Sequence, residues 1–138
     1  MLTYVTVGAN DVPLSERFYT AVLSPLGYKK KEVSKGVEYI AQDAPGRGHH
    51  PNAVYLGKPF DGKEATVGNG SMLAFQAETH EIVRYAHAAG LEAGGSDEGA
   101  PGFRSEYSAH FYVGYLRDPT GNKIAIFCAN PAEEGRDS

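Results

Sequence analysis

Met72-Leu-Ala-Phe-Gln-Ala77 followed by Thr79-His-Glu-Ile-Val-Arg-Tyr-Ala-His-Ala-Ala-Gly-Leu-Glu-Ala-Gly-Gly95 repeats, without a gap, the layout of Tyr4-Val-Thr-Val-Gly-Ala9 through Gly27. With Tyr4 laid on Met72, an offset of 68 residues also places Val5 on Leu73, Val7 on Phe75, Ala9 on Ala77, Leu23 on Leu91 and Gly27 on Gly95. Each half opens with a strand, a cap, a helix and a glycine. A period this long, used only twice, indicates two paired modules rather than a stacked solenoid. In the first strand Thr3, Val5 and Val7 share one face and Leu2, Tyr4 and Thr6 the other, as a two-residue period requires. Asp11 then caps a helix with Leu14, Phe18 and Val22 on its core stripe; in the second half Thr79 caps and Ile82, Ala86 and Ala89 form the stripe.

After each helix the pattern turns to strand, at Gly36–Ala41 and Ala53–Gly57 in the first half and at 109–116 and 123–128 in the second. Asp118-Pro-Thr-Gly-Asn122 is a turn signal, with proline presetting one dihedral and glycine free to take positive φ. It predicts a hairpin of Tyr112–Leu116 with Lys123–Phe127. Two segments read as loops, Asp43–Asn52 and the Gly-rich Gly94–Ser108, and Pro131–Ser138 reads as a flexible solvated tail. The expected architecture is α+β, one domain over residues 1–130, with module 1 at about 1–66 and module 2 at about 67–130.

A net charge of −4 with scattered Lys and Arg argues against nucleic acid as a partner. No apolar run approaches the ~20 residues of a membrane helix and no signal-peptide pattern opens the chain, so a cytoplasmic protein with no membrane partner is expected. Cys128 is the lone cysteine, which excludes an internal disulfide and a Cys-pair metal site; its apolar strand setting indicates packing.

Phe18-Tyr19-x-x-Val22-Leu23-x-x-Leu26-Gly27 together with Arg117-Asp118-Pro-x-Gly121-Asn122-Lys123, in a strand–helix–three-strand unit used twice, resembles the vicinal-oxygen-chelate superfamily of glyoxalase I, bleomycin-resistance proteins and extradiol dioxygenases. The resemblance spans Leu2 to about Ala129 and implies two βαβββ modules forming a cupped mixed sheet. It further implies a divalent metal in the cup, with ligands from equivalent strand positions. This chain has Tyr4 and Met72 where histidines are expected, Ala125 where a carboxylate is expected, and Tyr55 or its neighbours at the corresponding place in the first half. A catalytic divalent ion needs about three His, Asp, Glu or Cys ligands. The fold therefore transfers, while no metal and no other cofactor is expected in the cup.

His49 and His50 are adjacent in a Gly-Pro loop, the setting of idle surface histidines as well as of a replacement metal pair. His80 and His87 lie seven apart on the outer helix with no third ligand in view. His110 stands near Tyr112, either packed or functional. Arg104, three residues before Tyr107, is either a clamp on its Gly-rich loop or a ligand-binding fork. The nine tyrosines weigh more as a set, since tyrosines on strands can line a pocket for a flat or amphipathic organic molecule. The candidate ligand-binding set is Tyr4, Tyr55, Met72, Arg104, Tyr107, His110, Tyr112 and Ala125. The expected role is binding, sequestration or metal-independent conversion of a small molecule by a homodimer. The alternative is a metal-dependent lyase or dioxygenase using His49, His50, His110 or Glu38 in an altered constellation.

Overall fold

A computed structural model describes residues 2–41 and 52–138. Its elements run β1 (Tyr4–Gly8), α1 (Val12–Leu23), a 3-10 turn (Ser24–Leu26), β2 (Tyr28–Val33), β3 (Gly36–Ala41) and β4 (Ala53–Gly57), then β5 (Leu73–Gln76), α2 (His80–Glu92), β6 (Ser96–Phe103), β7 (Tyr112–Arg117) and β8 (Lys123–Cys128). The sheets have the matching orders β1-β4-β3-β2 and β5-β8-β7-β6, with β1 parallel to β4, β5 parallel to β8, and the other pairs antiparallel. This is the expected pair of βαβββ modules.

The duplication holds to the residue at the helix starts. Val12 and His80, 68 apart, open α1 and α2. Their caps also correspond: Asp11 accepts from the Leu14 amide and Thr79 from the Ile82 amide, each satisfying a donor that the first helical turn leaves open. Ala9 and Ala77 are both buried, and their amides bond Gly57 O and Phe127 O in turn. The correspondence slips at the second helix end, where the left-handed residue is Gly94 (φ 101°). Gly95 serves space instead, because a Cβ there would stand 2.4 Å from the Phe18 ring.

Both helices pack on one side of the sheets around a shared core that includes Phe18, Tyr19, Val22, Leu23, Val83, Leu116 and Ile126. Three expectations change. Most of Gly94–Ser108 is the strand β6, whose register shifts twice between Asp97 and Gly102 and so hides the two-residue period. The third post-helical strand of the first module, which the residue pattern did not locate, is the Lys-rich edge strand β2, its lysines exposed as suits an open edge. Residues 131–138 are docked through their own polar groups: Glu133 Oε1 accepts the His80 amide (2.7 Å), and Arg136 Nη1 donates to Arg104 O (3.1 Å) and Tyr107 O (2.7 Å). Among the described residues no helix is long and apolar enough to cross a membrane.

Candidate functional site

Strand register decides which side chains face away from the helices. In the first sheet Thr6 pairs with Tyr55 and Tyr55 with Glu38, which puts these residues and Tyr4 on the helix-free face. In the second sheet Ala74 pairs with Ala125 and Ala125 with Tyr115, and Gln76, Phe127 and Val113 share their orientation. The opposite side chains meet the helices. Tyr39 reaches Glu16 O (2.9 Å) on α1, and a Cβ at Gly90 of α2 would touch Leu116.

Three hollows adjoin along the line between β1 and β5. The largest, about 910 Å³, is lined by residues including Tyr4, Thr6, Val33, Tyr55 and Phe60. A second of about 610 Å³ runs along Thr6, Met72, Asn122 and Lys123, and a third of about 420 Å³ along Tyr4, Met72, Ala74 and Phe127. Tyr4, Val5, Thr6, Met72 and Leu73 each line two hollows, so the depression centres on β1 and the start of β5, where Tyr4 and Thr6 lie on the helix-free face. Tyr4 is 50% exposed and Met72 45%, open to anything that enters. The Tyr4 ring stands edge-on to Tyr55 with centroids 5.4 Å apart.

Tyr55 is tied to Glu38, which is only 5% exposed. The hydrogen bond to Glu38, then burial, then the charges of Glu38 and Tyr4 push the Tyr55 phenol up to about 12. The phenol therefore stays protonated and donates to the carboxylate, which makes it a weak metal ligand. The positions where the superfamily resemblance implies metal ligands thus present a phenol, a protonated phenol, a thioether and a methyl group. That donor set does not fit a hard or borderline divalent ion.

The remaining sequence-nominated residues disperse. Ala125 faces the cup from between Ala74 and Tyr115 but is 1% exposed. Tyr112 is on the helix side, a correction to its expected place in the cup: its ring stacks on His80 at 4.2 Å and its hydroxyl accepts from Arg84 Nη1 at 3.2 Å. His110 lies in the turn before β7, where a Cβ on Gly135 of the C-terminal segment would come within 3.1 Å of its ring. Arg104 donates to its own loop, to Ala100 O at 2.8 Å and Phe103 O at 3.3 Å, with its guanidinium 5.7 Å from the Tyr115 ring centre. Tyr107 hydrogen-bonds Tyr115, whose phenol is raised by burial first and that bond second, against the lowering influence of Arg104. His49 and His50 lie outside the described residues.

Tyr115 and Lys123 were not singled out from sequence. Lys123 Nζ sits 5.0 Å from the Tyr115 ring centre and also lines the second hollow, placing a cation on an aromatic face at the cup's edge. The signal was available in the hairpin: once Lys123–Phe127 pairs with Tyr112–Leu116 around a five-residue turn, Ala125 falls opposite Tyr115, not Tyr112.

No protein-family model matches the chain, and no curated protein does. Among solved structures it is similar to a glyoxalase/bleomycin resistance protein from Albidiferax ferrireducens T118, with 37% identity, 93% of this chain and 98% of that chain covered, and a TM-score of 0.77. A glyoxalase/bleomycin resistance protein/dioxygenase family enzyme from Burkholderia phytofirmans PsJN is 18% identical over 92% of this chain and 97% of its own, at a TM-score of 0.63. A lactoylglutathione lyase from Agrobacterium tumefaciens is 17% identical over 93% and 92%, at a TM-score of 0.60. The last two share the fold.

Proposed function

Because the chain belongs to the glyoxalase/bleomycin resistance protein family, we propose that its cup binds a small aromatic or amphipathic organic molecule without a metal, for sequestration or for a metal-independent conversion. The observation that carries this reading is the meeting of the hollows at Tyr4, Thr6 and Met72, where ring face, hydroxyl and thioether replace ion-binding donors. Aromatic and thioether surfaces favour dispersion contact with a flat ligand, and a few placed polar groups set its orientation. Lys123 at the rim suits an anionic or carbonyl substituent. We also infer a homodimer, since the open sheet edge β2 and the fully exposed Phe60 (103%) both gain from a second copy.

A thermal-shift screen of aromatic and amphipathic organic acids, run in parallel with a strong chelator and with added divalent ions, tests the binding reading. A ligand at 100 times its dissociation constant adds about 2.7 kcal/mol to stability. The expected result is a hit whose shift is the same in both arms, with affinity weakened about tenfold or more in Lys123→Ala, the scale of a lost charge-assisted hydrogen bond. A shift that appears only with divalent ions would overturn the metal-free reading, and a screen in which no such compound shifts the melt would overturn the ligand class.

A further inference from the structure

On the face opposite the cup, three residues far apart in sequence converge. His80 opens α2, Cys128 ends β8, and Glu133 comes from the C-terminal segment; one ligand atom of each lies within 4.8 Å of the others. Among the described residues this is where three groups of metal-ligating type gather. The imidazole is held rigidly, stacked on Tyr112 at 4.2 Å and edge-on to Phe103 at 5.4 Å, yet its Nε2 is buried with no hydrogen-bond partner. An unpaired buried nitrogen is costly and uncommon, and a ligand role accounts for it.

The other two donors are oriented by bonds that leave them able to bind. Glu133 Oε1 accepts the His80 amide at 2.7 Å, which fixes the carboxylate beside the ring and leaves a second oxygen as a ligand. Cys128 Sγ contacts Glu78 O at 3.3 Å. That carbonyl also accepts Asn130 Nδ2 at 3.1 Å, so it keeps a partner if the thiol gives up its proton to become a ligand.

We propose that His80, Cys128 and Glu133 form a zinc-binding site on the helix-bearing face, distinct from the cup. A sulfur, nitrogen and oxygen set selects zinc over magnesium or calcium, which demand oxygen ligands. Zinc–ligand bonds of about 2.0–2.3 Å in a tetrahedron put donors roughly 3.3–3.8 Å apart, so the triangle need close by at most about 1.5 Å on binding. Three protein ligands leave a fourth position for water. The ion would fasten the C-terminal segment to the start of α2 and the end of β8. The sequence concealed this because the spacing from His80 to Cys128 and Glu133 matches no local ligand motif.

The test uses full-length protein without a histidine tag, stripped by chelator and dialysed. Zinc is titrated against a chromophoric competitor and cobalt(II) is followed by absorbance. The expected result is one ion per chain with a thiolate-to-cobalt charge-transfer band that Cys128→Ser abolishes. Glu133→Gln, which keeps an acceptor for the His80 amide and so the local fold, should weaken zinc by roughly tenfold or more. His80→Gln should do the same. Absence of the charge-transfer band, or zinc affinity equal to wild type in both Cys128→Ser and Glu133→Gln, would overturn the proposal; the second result would assign the ion to other histidines.

Discussion

Tyr55 shows how one contact fixes the chemistry of a position. Its phenol is raised to about 12, chiefly by the hydrogen bond to Glu38, and Tyr39 is raised to about 12 by burial, with Thr20 acting in the lowering direction. In the unfolded chain both titrate near their ordinary value of about 10. The neutral phenols are therefore favoured in the native state: their stabilisation is fully present below about pH 10 and is lost as pH rises from about 10 to 12. Phenolate absorbance should rise in separate phases, and Tyr55→Phe should remove amplitude from the late phase; loss from the phase near pH 10 instead would show that Glu38 does not hold this phenol. Tyr4 could be placed on the helix-free face from the sequence because β1 alternates between exposed and more buried positions, Tyr55 because it is the single less buried position in a strand otherwise buried on both faces, and Met72 because it directly precedes β5. Tyr112 was misread because β7 is apolar on both faces, with Val113 and Leu116 both buried, so alternation alone cannot say whether Tyr112 or Tyr115 faces out.

At the scale of elements, the contact between α1 and α2 turns on Gly90. A Cβ there would lie 2.7 Å from Leu116 Cδ1, 2.9 Å from Val22 Cγ2 and 3.2 Å from the Phe18 ring. Alanine is favoured over glycine in a helix interior by about 1 kcal/mol, but forcing a methyl into a packed core costs about 1–3 kcal/mol. Three core side chains would have to move together, so the steric cost should prevail. Gly90→Ala is expected to lower stability by about 1 kcal/mol in urea unfolding, and a stabilised variant would show that the helices separate easily. The helix starts were legible to the residue because caps and four-residue spacing are local signals, while their ends, at Leu23 and Glu92, fall short of the glycines that the repeat pointed to. The strands β2 and β6 were not, since one is an edge rich in lysine and the other carries three glycines or prolines through two register shifts, each suppressing the pattern by which strands are recognised.

For the whole molecule, the two motifs that carried the family resemblance prove to be two sides of one contact. Tyr19 donates to Asp118 Oδ2 at 2.6 Å in a buried bond, while Asp118 Oδ1 accepts the amides of Thr120, Gly121 and Asn122 at 2.9 Å each. Asn122 Nδ2 adds a bond to Gly8 O at 3.1 Å, again between halves. Tyr19→Phe should cost about 1.5–3 kcal/mol, the range for a hydrogen bond to a charged group, and should leave unfolding a single transition because the halves share one core. A biphasic melt of the variant would mean that the halves are held together by this bond alone. The two halves also differ at this position. His87, the counterpart of Tyr19 at the 68-residue offset, has its bonds among the described residues with Asp97 and Tyr115 O, inside its own half. The duplicated modules are thus keyed like a plug and a socket: a tandem of two copies of the second half would lack the tyrosine that enters the Asp118 turn. A circular permutant opened between β4 and β5 would retain both parts of the key, whichever half is translated first.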